Sequence, residues 1–139
     1  MIEFPYELLG QLGFEHPLHP AITHLPMGGA MAAFLFAIAS LKNPNLARTA
    51  HHCAVLALIF VVPTIIVGIM DWQHFYAGEW SVLFVIKFIL AGVLSLSLLI
   101  ATRVAGTERA NSNAPLLLYA LCFLVAVGLG FTGGEILYG

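Results

Sequence analysis

LARTAHHCAVLALIFVVPTIIVGIM (residues 46–70) decides the fold. From Cys53 to Met70 it contains no charged residue and no histidine. A run of this length, about 18 apolar residues or more, is long enough to cross the roughly 30 Å hydrocarbon core of a bilayer as one helix. A backbone in hydrocarbon must satisfy its own polar groups, and a helix does so within a single segment. Three further segments read the same way: about Pro20 to Leu41, about Ser81 to Thr102, and about Pro115 to Phe131. The connections are short. Leu41-Lys-Asn-Pro-Asn45 reads as a tight turn, Asp71–Trp80 as a longer loop, and Ala105–Ala114 as a polar loop with Asn-Ser-Asn ahead of Pro115, a helix start. Short connections force neighbouring helices to run antiparallel. The expected fold is therefore all-α: an integral membrane up-down-up-down four-helix bundle, one domain over residues 1–139, preceded by a short interfacial N-terminal segment.

Composition agrees. Of 139 residues 60% are hydrophobic and only 9% charged, and mean hydropathy is +0.97, whereas a soluble domain carries about 25% charged residues. No basic patch for nucleic acid is present. Met1–Glu15 holds Glu3, Glu7 and Glu15 but no Lys or Arg, so the basic n-region of a cleavable leader is missing. Cys53 and Cys122 each sit in an apolar run and read as small buried hydrophobes rather than a disulfide.

Charge sets an orientation. Lys42 and Arg48 flank the first connection, and Arg103 and Arg109 flank the third. The opposite side carries Glu3, Glu7, Glu15, Asp71, Glu79 and Glu135. The positive-inside rule then puts both termini outside the cytoplasm, as in a multi-pass protein of a bacterial inner membrane. Trp72, Tyr76, Trp80 and Tyr138 mark the outer interface as an aromatic belt.

The polar residues in this apolar background are mostly histidines, six in all. Ionisable groups in a membrane are costly and default to functional candidates. His16, His19, His24, His74, Asp71, Lys87 and Glu135 gather at the outer end, with Lys87 roughly 10 Å into the third span at the helix rise. His51 and His52 lie at the inner end, on the order of 20–25 Å away by the same rise.

Three motifs, His19-Pro20-Ala-Ile-Thr-His24-Leu-Pro26-Met-Gly28, Gly68-Ile-Met-Asp71-Trp and Thr132-Gly-Gly-Glu135-Ile-Leu-Tyr138, occur in one order along the chain. In them the chain resembles the family of small membrane proteins catalogued as domain of unknown function 2231. The resemblance implies a four-span bundle. Some members are joined to Rieske-type iron–sulfur domains, which implies a link to electron transfer. Many members carry a histidine near the start of the third span, where this chain has Glu79-Trp80 and then Lys87.

From the residues themselves, the leading expectation is b-type haem in the outer half of the bundle, since bundle cores hold cofactors between facing helices and imidazole is a common axial ligand. His24 and His74 form the preferred axial pair, with His19 and His16 as substitutes, Met27 on the face of His24, and Lys87 near a propionate. Gly28, Gly29, Ala30, Ala32 and Ala33 would allow close approach of a helix or a porphyrin face. A second site at His52 or His51 would need Cys53, Cys122, a water or another subunit to complete it. Such a protein would carry electrons, or serve as a subunit of a complex, rather than act as a stand-alone enzyme. Its partners would be the bilayer, a redox protein or quinone, and further copies or other subunits. One alternative is copper or zinc on His16, His19, His24 and Met27. Another is a non-catalytic anchor within a redox complex. Bland roles stand beside these: Asp71 capping a neighbouring helix, Glu135 pairing with Lys87, Gly133-Gly134 bending or ending the last helix, and Pro63 kinking the second span. Ser40, Ser81, Ser95 and Ser97 have no imidazole nearby in sequence, which argues against hydrolysis.

Overall fold

The computed structural model describes residues 3–13, 15–106 and 113–139. All regular structure among them is helical: α1 (Glu3–Gln11), α2 (His19–Ser40), α3 (Leu46–Tyr76), α4 (Val82–Ala105) and α5 (Asn113–Tyr138). The four longer helices are each long and apolar enough to cross a membrane. They pack in a ring, α2 on α3, α3 on α4, α4 on α5 and α5 back on α2. Arg109 and residues 107–112 of the third connection lie outside the described residues.

Two helices outrun the expected spans. α3 continues past Asp71 to Tyr76, and α5 continues through Gly133-Gly134 to Tyr138. At about 1.5 Å per residue, the 31 residues of α3 extend roughly 46 Å, more than the bilayer core requires. A charged residue ends a hydropathy window but not a helix, because the backbone ladder does not depend on side-chain polarity. The end of α3 is set instead by Ala77 and Gly78, both at positive φ (49° and 70°). The left-handed conformation stops the ladder, and the Ala77 N–H closes the last turn on the Trp72 carbonyl.

The tightest seam joins α2 to α3. Ala30, Ala33 and Ala37 of α2, and Ala47, Ala50, Ala54 and Ala57 of α3, are all buried. A Cβ on Gly29 would meet the Ala57 Cβ at 3.0 Å and the Cys53 carbonyl at 3.1 Å. Small residues let two backbones approach without side chains between them. The small-residue face of α2 is thus occupied by α3, while Gly28 points to open space. Both cysteines are free thiols.

α4 begins at Ser81, whose hydroxyl accepts the Phe84 N–H at 3.4 Å. N-cap hydroxyls contribute about 0.5–2 kcal/mol. The long contact puts this one at the low end, and Ser81→Ala is expected to cost about 0.5 kcal/mol in unfolding of the detergent-solubilised protein. A loss above about 2 kcal/mol would show that Ser81 supports more than a cap.

Candidate functional site

The start of α2 meets the far end of α3 through one buried carboxylate. Leu18, at the N-cap of α2, provides no side-chain cap, so the first N–H groups of the helix need other acceptors. Asp71 supplies one: its Oδ2 accepts the His19 backbone N–H at 2.6 Å. A carboxylate at a helix N-terminus also opposes the positive end of the helix dipole. The other oxygen, Oδ1, accepts a hydrogen bond from the Tyr6 hydroxyl of α1. Asp71 is 4% exposed, and its oxygens tie three helices together.

His19 is held on a second side. Its Nδ1 lies 3.0 Å from the Thr64 carbonyl. A carbonyl only accepts, so Nδ1 carries the proton, and in the neutral ring Nε2 keeps its lone pair. The ring can reach Thr64 because residue 68, one helical turn further on, is glycine. A Cβ there would lie 2.7 Å from Nδ1 and 2.8 Å from Cε1 of His19.

Below this junction lies a cavity of about 240 Å³ between α2, α3 and α4, closed by Leu129 of α5. Its walls are apolar and include Trp72, Phe84 and Phe88. His19, Thr23, Thr64 and Lys87 are among the lining residues. The two threonines are committed to their own helices, Thr23 Oγ1 donating to the Pro20 carbonyl at 2.8 Å and Thr64 Oγ1 to the Phe60 carbonyl at 2.7 Å. The Lys87 side chain is half-buried. A shallower hollow at the same end is lined by Glu79 and Glu135 with Tyr76, Trp80 and Phe84.

The other sequence candidates fall elsewhere. His24 is exposed on α2 and does not line the cavity. His74 stacks on Tyr6, centroids 4.1 Å apart and planes within 6°, on the outer flank of the Asp71 junction. The favoured pair, His24 and His74, is therefore not brought together at the cavity. The cavity-lining imidazole is His19. His16 is exposed. Glu135 is exposed and forms no ion pair with Lys87; the two line different hollows. Gly133 and Gly134 are interior to α5. At the opposite end, His52 is exposed and His51 half-buried, ring centroids 6.1 Å apart, and the buried His51 Nδ1 and Tyr119 hydroxyl lack hydrogen-bond partners among the described residues. No group of three or more His, Cys, Asp or Glu among the described residues is placed to hold a metal ion.

Sequence reasoning missed Tyr6, Thr64 and Gly68 as parts of this site. Gly68 stood in a family motif but carried no role. Its signal was available: a glycine mid-helix gives up stability unless something approaches the backbone there. Tyr6 could have been sought as a donor for a buried carboxylate, which needs hydrogen bonds.

A family model described as a predicted membrane protein, DUF2231, matches residues 15–139. The chain belongs to the DUF2231 family. No curated protein and no solved structure matches it significantly. The DUF2231 match takes in His19, Thr64, Gly68, Asp71 and Lys87 and begins after α1, so Tyr6 reaches Asp71 from outside the matched segment.

Proposed function

We propose that this DUF2231 protein binds a lipid-soluble molecule in the half of the bundle that carries both termini, with its polar group between His19 and Lys87. The observation that carries the reading is the cavity itself. Ligand sites are apolar hollows with a few polar groups, and here His19 and Lys87 are among the residues that line one, the His19 Nδ1 being held by the Thr64 carbonyl. A half-buried ammonium in an apolar wall is costly without a partner, and a ligand acceptor would relieve it. The charge pattern of the loops supports placing this half on the extracytoplasmic side.

The test is mass spectrometry of small molecules released from protein purified in detergent. Wild-type protein is expected to retain a lipophilic molecule that Ala91→Leu, which fills the cavity from α4, loses. Equal retention by both proteins overturns the reading.

One observation favours b-type haem as a second reading. A metal-bound imidazole characteristically donates its other N–H to a carbonyl, and His19 does so to Thr64. On this reading His19, rather than His24 or His74, is the axial ligand, Lys87 meets a propionate, and the protein acts in membrane electron transfer. Protein supplied with haem would then show a Soret band that His19→Ala abolishes and His24→Ala leaves intact. A preparation without the band sinks it.

A further inference from the structure

Two glycines line the cavity, Gly68 and Gly92. The space beside Gly68 is filled by the His19 ring. The space beside Gly92 is filled by nothing in the chain, since a Cβ there would meet no atom within 4 Å. A glycine inside a helix costs stability relative to alanine, and one use that offsets the cost is close approach to the backbone. Gly92 lies in the interior of α4 and is exposed, so it stands where the cavity meets the outside of the bundle. α3 and α4 are the least closely packed neighbours in the ring. Their seam is closed one turn nearer the outer end by Trp72 and Phe88, edge to face with centroids 5.9 Å apart.

The lining decides the occupant. It is almost wholly apolar, and both of its threonine hydroxyls donate to carbonyls of their own helices. An ordered water needs two to four polar partners, whereas apolar cavities of about 150 Å³ stay dry and take benzene. At the same carbon density, about 240 Å³ holds about ten carbon atoms. A void left empty costs stability in proportion to its volume. Around four membrane-spanning helices the hydrocarbon at hand is the lipid acyl chain. We infer that the cavity takes the end of one such chain, about ten carbons of it, entering from the bilayer between α3 and α4 across Gly92. The inference rests on the reading of the cavity as a binding site and names the apolar part of its ligand.

A phospholipid carrying a diazirine near the end of one acyl chain tests this in nanodiscs, because on irradiation the chain labels what it touches. Ile89 of α4 is 60% exposed, whereas Val61 and Leu94 are 7% and 3% exposed and line the cavity. Mass spectrometry of the digested wild-type protein is expected to find adducts on all three. Gly92→Leu places a side chain in the mouth, where the open space spares every neighbour from moving. It should lose the adducts on Val61 and Leu94 and keep the one on Ile89, which also reports that the bundle still stands in the bilayer. Ala91→Leu, which fills the cavity from the next position, should do the same. Adducts on Val61 and Leu94 that persist in both variants overturn the entry across Gly92 and the chain's place in the cavity. Adducts confined to Ile89 in the wild-type protein overturn the acyl-chain assignment. If that protein still retains a lipophilic molecule that Ala91→Leu loses, the cavity remains a binding site for something other than a lipid chain. If it retains none, both readings fall.

Discussion

Asp71→Ala is expected to be the most damaging single change at the bundle's end, lowering stability by about 2–5 kcal/mol. The substitution removes the acceptor of two hydrogen bonds, one from the Tyr6 hydroxyl, which is buried, and one from the His19 N–H, which is partly buried. A buried polar group deprived of its partner costs about 1–3 kcal/mol, more where the lost partner is charged. It also deprives α2 of an acceptor at an end where no side-chain cap stands in. Asp71→Asn separates the contributions. The amide oxygen still accepts one of the two bonds, but the amide nitrogen turns a donor toward the other donor, so about half the loss remains. Thermal unfolding in detergent reads the stability. Hydrogen exchange on α1 reads the consequence for Tyr6, since losing its bond to Asp71 weakens the docking of α1 and should expose the helix amides. If Asp71→Ala unfolds within about 0.5 kcal/mol of wild type, and α1 exchanges no faster, then Asp71 does not clamp these three helices.

That clamp shows which parts of the structure were readable in advance. Four spans follow from hydropathy because each helix must hide its backbone from lipid on its own, a local requirement visible in any 20-residue window. The ends of the spans were less legible for the same reason. Asp71 and Gly133-Gly134 look like stops to a hydropathy window, yet the helices run on, since neither a buried charge with partners nor a glycine breaks the ladder. The site was legible as a layer but not as a set of contacts. The polar residues near the termini do lie at one end, but which of them face inward depends on helix rotation. On α2, His19 and His24 are five residues apart, about 500° at 100° per residue, and so lie well apart around the helix. The sequence weighed both as ligands and preferred His24; the structure turns His19 to the cavity and leaves His24 exposed. What sets the rotation is the alanine seam, which presses one face of α2 against α3. Long-range partners were beyond reach for another reason. Tyr6 and Asp71 are 65 positions apart, and nothing local to either announces the other.

Gly68 offers the sharper test, because its two effects have opposite signs. Alanine in a helix is favoured over glycine by about 0.5–1 kcal/mol. In the native protein the added methyl lies 2.7 Å from the His19 Nδ1, closer than packed atoms tolerate, so the imidazole must move. Moving it breaks the bond to the Thr64 carbonyl, a loss of about 1 kcal/mol, and frees the proton position that leaves Nε2 an acceptor. The two terms nearly cancel in stability, and Gly68→Ala should unfold close to wild type while losing whatever depends on the orientation of His19. Gly68→Leu cannot escape so lightly. Its side chain claims the volume of the ring itself, and overpacking of this kind costs about 1–3 kcal/mol. The decisive comparison is made in His19→Ala protein, where no ring stands in the way. There Gly68→Ala is expected to stabilise by the full helix term, about 0.5–1 kcal/mol, so the double-mutant cycle yields a coupling of roughly 1 kcal/mol. A coupling near zero would mean that the glycine serves the helix alone and that His19 does not rest in the notch it leaves.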